Sequence, residues 1–473
     1  MFKFTRRAIG VIASVAALIG VGAVSANTIT GPSSSQSPYI VRSTPGVVTK
    51  SILTVGDSVG GYRMVGIPDG LGAFDNGDGT FTVLMHHELG NTAGAVRAHG
   101  AKGAFVSKWT IRKDDLSVVG GQDLIQQIAT WNTASSSYNA PAKGVALSRL
   151  CSADLPPISA FYADGVGYNG RLFMDGEENG ATGRAFAHLM DGTSYELPRL
   201  GKFSWENSLA NPATGAKTVV VGTDDSNGGQ IYIYVGDKTT SGSAIDRAGL
   251  TNGALYGLKV DGVASEDPAT GIASGSSFSL ANLGNVENVS GTALESLSVA
   301  NGVTSFQRPE DGAWDPSNPN DFYFVTTASF TGNSRLWRLR FVDAANPAAG
   351  GTIDMLLDGS EGQHMMDNLT VTRRGQVMIQ EDPGGNDYLA TVRRYSIAND
   401  TLTEIAKHDP ERFLPGAANF LTNDEESSGI IDVSDILGEG WFLLDVQAHY
   451  NIGDTELVEG GQLLALHSPP GKK

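Results

Sequence analysis

A single cysteine, Cys151, stands in a chain of 473 residues, so no disulfide can form within it. No His-Glu-x-x-His run is present, and a zinc-hydrolase helix is excluded with it. His86, His87, His99 and His188 do not restore a zinc site, because neighbouring residues on a strand point to opposite faces. The Walker A loop is missing too, which removes the marker of P-loop chemistry. No long amphipathic helix is legible; the stretch 114–130 is the best candidate for a short one. Cations are scarce, with 33 Lys and Arg against 51 Asp and Glu. That balance disfavours nucleic acid and anionic membrane as partners and suits divalent cations.

The only long apolar run lies at the start, MFKFTRRAIGVIASVAALIGVGAVSA. Lys3, Arg6 and Arg7 precede an apolar stretch from Ile9 to Val24, and Val24-Ser25-Ala26 fits a small-residue cleavage site. The run falls short of the roughly 20 apolar residues of a membrane span. Residues 1–26 therefore read as an export signal, and the Arg6-Arg7 pair admits the twin-arginine route as well as the general secretory one. Cleavage takes three cations from a chain of formal charge −18, leaving −21. The expected compartment is the periplasm or the exterior, with no membrane span after cleavage and a monomeric chain.

Sixty glycines imply many turns, hence many short strands. Strand-like runs come in pairs: 80–85 with 104–111, 171–174 with 184–189, and 218–222 with 229–235, followed by 254–260. Further on, 321–327 pairs with 335–341, 376–380 with 388–395, and 440–445 with 461–466. Three segments share one plan: PDGLGAFDNGDGTFTVLMHHE (68–88), PEDGAWDPSNPNDFYFVTT (309–327) and MDNLTVTRRGQVMIQED (366–382). In each, an acid beside Gly or Asn precedes a short apolar run, a turn and an outgoing strand. Such self-similarity marks a repeat fold. The expected class is all-β, a six-bladed β-propeller with long inter-strand loops, at roughly 65 residues per unit against about 40–50 in common propellers. Its domain plan is a signal at 1–26, an N-terminal extension at 27–60 and one propeller at 61–473.

Most first strands end in a polar cluster: His86-His87-Glu88, Asp175 with Glu177 and Glu178, Asp224-Asp225, Glu381-Asp382, and Asp445 with Gln447 and His449. Cys151, Glu206 and Arg308 with Glu310 precede other strands. Taken singly, acids beside Gly and Asn are ordinary turn residues, as in DNGDGT at 75–80. Equivalent strand ends of a propeller, however, gather on one face near the axis. Carboxylates crowded there cannot all stay ionised without counter-charge, and hard cations with oxygen ligands supply it.

These pieces resemble the PhoX-type alkaline phosphatases, secreted six-bladed propellers. The resemblance rests on HHE at 86–88, Cys151, GEE at 176–178, GKFSWE at 201–206, TDD at 223–225, RPE at 308–310 and QED at 380–382. It departs from that family's Asn-His-Glu at His86-His87-Glu88, and from its Gln-His pair at Gln447-Ala448-His449. The resemblance implies metal ligation by Glu88, Cys151, Glu178, Glu206, Asp225, Glu310 and Asp382, with Ca²⁺ and Fe³⁺ as the ions and Cys151 bridging the irons. It also implies that Arg308 clamps phosphate beside Glu310, and that the substrate is a small phosphate monoester. Two other readings remain open at this level: a different metal-dependent hydrolase (phosphodiesterase, phytase-like or lactonase), and a calcium-stabilised binding propeller without catalysis.

Overall fold

The computed structural model describes residues 28–469, so the expected export signal lies outside the described residues. The architecture follows from short Val-, Ile- and aromatic-rich runs separated by Gly-Asn-Asp turns, which pair with their chain neighbours as antiparallel ladders. The chain forms a β-propeller. Six strands line its axis: Pro68–Asp75, Leu172–Gly176, Trp205–Ala210, Pro309–Trp314, Met366–Val371 and Glu425–Asp432.

Each inner strand leads outward through its sequence neighbours. Pro68–Asp75 is followed by Thr80–His87, Phe105–Arg112 and Val118–Asp123. Leu172–Gly176 is followed by Ala185–Leu189 and Thr193–Glu196, with Gln127–Ala129 added in parallel at the edge. The units that begin at Trp205 and Pro309 meet along Ser276–Gly284, giving one sheet of ten strands. The ring closes by pairing the two ends of the chain: Val48–Thr54 runs antiparallel to Glu459–His467, and Ile40–Arg42 to Thr401–His408. Residues 40–54, within the stretch read as an N-terminal extension, thus supply strands to the last two units.

The paired strands expected from the sequence are all present. The stretch 114–130 is not a helix; it holds the strands Val118–Asp123 and Gln127–Ala129. Gly120 and Gly121 weaken a helix there, and Gly121 lies so close to the buried Trp109 that a Cβ would sit 2.4 Å from its ring. A ten-residue helix that the sequence did not signal, Gly291–Ala300, begins at Ser290, whose side chain accepts from the Ala293 amide.

Between the inner strands Pro68–Asp75 and Leu172–Gly176, the segment 150–156 runs down the axis. Asp154 bridges to Met174, and Leu150 to Glu177. Gly70 and Gly72 make room for it: a Cβ on Gly70 would lie 2.7 Å from the Cys151 carbonyl oxygen, and one on Gly72 2.8 Å from Leu155 Cβ. This plug carries Cys151 to the acidic end of the axis.

Candidate metal centre

One local device repeats around the axis. Four inner strands break register two residues into the strand, between Pro68 and Leu71, Trp205 and Ser208, Pro309 and Gly312, and Met366 and Leu369. Each break is a bulge that holds an acid followed by Gly, Asn or Asp: Asp69-Gly70, Glu206-Asn207, Glu310-Asp311 and Asp367-Asn368. The bulge turns the acid inward at equivalent heights. The second residue ties the ring together, as Asn207 Nδ2 donates to Asp311 Oδ1 at 2.7 Å and the Leu369 amide to Asp311 Oδ2 at 3.0 Å.

Because neighbouring strands are antiparallel, the end of each second strand lies beside the start of the inner one. His87 pairs with Pro68, and Glu381 with Met366. Glu88 and Asp382 therefore reach the same face as the bulge acids. Three donor groups result, each with ligand atoms within 4.8 Å of one another: Asp69, Glu88 and Cys151; Glu206, Glu310 and Asp367; Asp367, Asp382 and Glu426. Asp367 belongs to two of them. The plug joins the other pair, since Cys151 Sγ lies 3.2 Å from Asp69 Oδ2 and the next residue, Ser152, donates to Glu206 Oε1 at 2.5 Å. Gln447 spans the first and third groups, its Nε2 lying 3.3 Å from Asp69, 3.2 Å from Glu88 and 3.1 Å from Glu426.

The electrostatics of this crowding are severe. Burial, with Glu426, Glu88, Glu206 and Asp445 behind it, pushes the Asp69 carboxyl far above the ordinary carboxylate range. Burial and then Asp225 and Asp367 do the same to Glu310, and burial, Glu426 and Glu206 to Asp367. Burial raises Glu206 to about 8, the Ser152 hydroxyl opposing and Asp225 adding. Asp382 rises to about 7, from burial and then Glu426. Burial and then Asp69 push the Cys151 thiol well up. Such crowding disfavours the ionised carboxylates, and multivalent cations are the counter-charge that would relieve it. Buried acceptor oxygens at the same place have no donor among the described residues: Asp69 Oδ1, Asn368 Oδ1 and Gln447 Oε1. Acceptor-only oxygens with one thiol are a donor set that fits hard cations and one ion tolerant of sulfur.

Of the residues expected as ligands, Glu88, Cys151, Glu206, Glu310 and Asp382 fall into these groups. Glu178 and Asp225 do not; each meets an arginine. Arg308 donates from Nε and Nη2 to the two Asp225 oxygens, both at 2.8 Å, and Nη2 lies 3.0 Å from Glu310 Oε1. Arg149 Nη2 lies 2.9 Å from Glu88 Oε1 and also pairs with Glu178. Burial, with Glu88 adding, takes Glu178 to about 9 against the pull of Arg149. Asp69, Asp367 and Glu426 were not singled out from the sequence. The signal for the first two was the repeat itself, which aligns Asp69 and Asp367 with Glu310; Glu426 sits in a strand without that pattern.

Beneath Cys151, two buried histidines flank Asp175. His86 Nδ1 contacts the Cys151 carbonyl oxygen at 2.6 Å, so Nδ1 carries the proton. His86 Nε2 is 2.8 Å from Asp175 Oδ2, off the line of a hydrogen bond, and the same oxygen is 2.5 Å from His188 Nε2. The neighbouring His87 points elsewhere, to the Gly66 carbonyl and the Ser107 hydroxyl.

Residues 189–353 match the family model described as alkaline phosphatase PhoX. Over nearly the whole fold the chain is similar to Pseudomonas fluorescens PhoX, solved in complex with vanadate, a transition state analogue. The TM-score is 0.67 at 12% identity, covering 93% of this chain and 97% of that one. The family resemblance is to PhoX. An α-L-arabinofuranosidase of Podospora anserina, solved with cellotriose, matches at a TM-score of 0.34 and 10% identity over 89% and 95% of the two chains. A comparison with curated protein sequences finds no match. The PhoX-matched stretch contains Glu206, Asp225, Arg308 and Glu310; Glu88, Cys151 and Asp382 reach the centre from outside it.

Proposed function

We propose that the chain is an exported, monomeric, metal-dependent phosphatase that hydrolyses small phosphate monoesters at the axial centre. The observation that carries this reading is the joining of three largely buried donor groups through Asp367 and the Cys151-Ser152 step, with arginines at their edges. Asp69, Glu88 and Cys151 would hold an ion that accepts sulfur, iron in the resembling family. Glu206, Glu310, Asp367, Asp382 and Glu426 would hold hard ions such as calcium. Bound cations would neutralise the phosphoryl oxygens and supply a deprotonated nucleophile.

The protein's own groups do the rest. Phosphoryl transfer is mostly positioning and charge neutralisation. Arg308, held over Glu310 by Asp225, offers its remaining donor edge to a phosphoryl oxygen. Ser152 fixes Glu206 and is itself held by Asn368 Nδ2 at 2.5 Å, which keeps the donor groups at fixed spacing. Burial keeps bulk water away from the carboxylates, so each charge acts at short range with little screening. The leader at 1–26 supplies export. Among the described residues, no helix is long and apolar enough to cross a membrane.

The test is hydrolysis of p-nitrophenyl phosphate by the purified exported chain, with elemental analysis of the same sample. Activity that disappears on chelation and returns with calcium and iron supports the reading. Metal-loaded protein that cleaves only diesters or lactones, or nothing, rejects it.

A further inference from the structure

Arg149 and Arg308 occupy matching situations. Both are non-glycine residues in the left-handed backbone region, at φ 48 and φ 60. A side chain tolerates that region only where the surroundings hold it, and such strain concentrates at functional sites. Each arginine covers a pair of acids, buried beneath Arg308 and partly buried beneath Arg149. The Arg308 side chain is 34% exposed above Asp225 and Glu310, both at 5%; that of Arg149 is 49% exposed above Glu88 at 9% and Glu178 at 14%.

They differ in which donors stay free. Arg308 gives its Nε–Nη2 edge to Asp225. Arg149 meets both of its acids through Nη2 alone; its Nε and Nη1 have no partner among the described residues. It also lies two residues before Cys151, just ahead of the plug, and its backbone is held by the Leu89 carbonyl at 3.0 Å and the Glu178 amide at 2.8 Å. Its guanidinium is the more exposed of the two and keeps more unpaired N–H groups.

We propose that Arg149 is a second anion-binding residue at the mouth of the centre, which grips an oxyanion of the substrate from the Glu88 side while Arg308 acts from the Glu310 side. This rests on the phosphatase reading for its substrate. The ligand chemistry is a phosphate oxyanion, either the reacting phosphoryl group or a second phosphate on the same molecule. A guanidinium donating two N–H groups to phosphate is a strong, directional contact; a lysine ammonium keeps the charge and loses the fork.

The experiment uses the metal-loaded full chain and its Arg149→Lys and Arg149→Gln variants. KM and kcat are measured for p-nitrophenyl phosphate and for a sugar bisphosphate, inhibition by inorganic phosphate is measured alongside, and metal content is checked in every sample. The expected result is a rise of about tenfold to a hundredfold in KM and in the phosphate inhibition constant for both variants, with metal content unchanged. Equal penalties on the two substrates assign the grip to the reacting phosphoryl group; a penalty on the bisphosphate alone assigns it to the second phosphate. Unchanged KM and inhibition constants overturn the proposal. So does a loss of metal that accounts for the kinetic change, since Arg149 would then only balance Glu88 and Glu178. If the parent protein hydrolyses neither substrate, calorimetric titration with inorganic phosphate still decides. Binding by the parent and not by Arg149→Gln keeps the anion site while the phosphatase reading falls; equal binding, or none, ends both.

Discussion

Cys151 Sγ lies 3.2 Å from Asp69 Oδ2, although 82 positions of sequence separate the two residues. One comes from the plug and the other from the first inner bulge, so the contact exists only when the plug packs against that strand. Asp69→Asn and Cys151→Ser should therefore separate two kinds of ion. Cys151→Ser should abolish any sulfur-to-metal charge-transfer absorption and lower iron, leaving calcium near its parental level. Asp69→Asn should lower the same ion while leaving the thiol able to react with an alkylating reagent. Absorption spectra and elemental analysis of both variants check this.

Gly70→Ala tests the plug. The new Cβ would meet the Ala153 amide nitrogen at 2.6 Å and the Cys151 carbonyl oxygen at 2.7 Å, both backbone atoms that cannot rotate aside. A cost of about 2 kcal/mol is expected, typical of overpacking, together with displaced Cys151 and reduced metal. A thermal melt and metal content equal to those of the parent would show that the plug moves freely.

Arg308 ties Asp225 to Glu310. Arg308→Gln removes the forked partner of Asp225 and the cation beside Glu310, at a cost of about 2 kcal/mol in metal-free protein. Cations should restore part of that loss, because they supply the missing charge at Glu310. Urea unfolding with and without calcium measures both parts.

Asp154, on the plug below the donor groups, gives a pH signature of its own. Burial raises its carboxyl from the ordinary 3.8 to about 7, the Ala210 amide opposing. A raised folded-state pKa stabilises the protein fully below the unfolded value and loses that contribution as pH climbs to the folded one. Between about pH 4 and pH 7, Asp154 should lower stability by at most about 1.4 kcal/mol per pH unit, and not further above pH 7. Asp154→Asn should flatten that part of the profile. Identical pH slopes for parent and variant would falsify the assignment.

The strands themselves were legible, because runs such as 321–327 and 335–341 carry their pairing in local composition. The stretch 114–130 misled: its apolar residues fit a helix, and only packing against Trp109 makes the pair Gly120-Gly121 an asset. Among site residues, Glu88, Glu206, Glu310 and Asp382 were marked by turns at strand ends. Glu178 and Asp225 carry the same mark, yet their arginine partners lie 29 and 83 positions away.

What the sequence determined alone was therefore local: where strands form, where turns break them, and that acids sit at the turns, since each of these depends on residues a few positions apart. What only the tertiary structure decided was which acids meet. Closing the ring, inserting the plug and shifting register at four bulges set distances between residues far apart in the chain, and counter-charge depends on those distances alone.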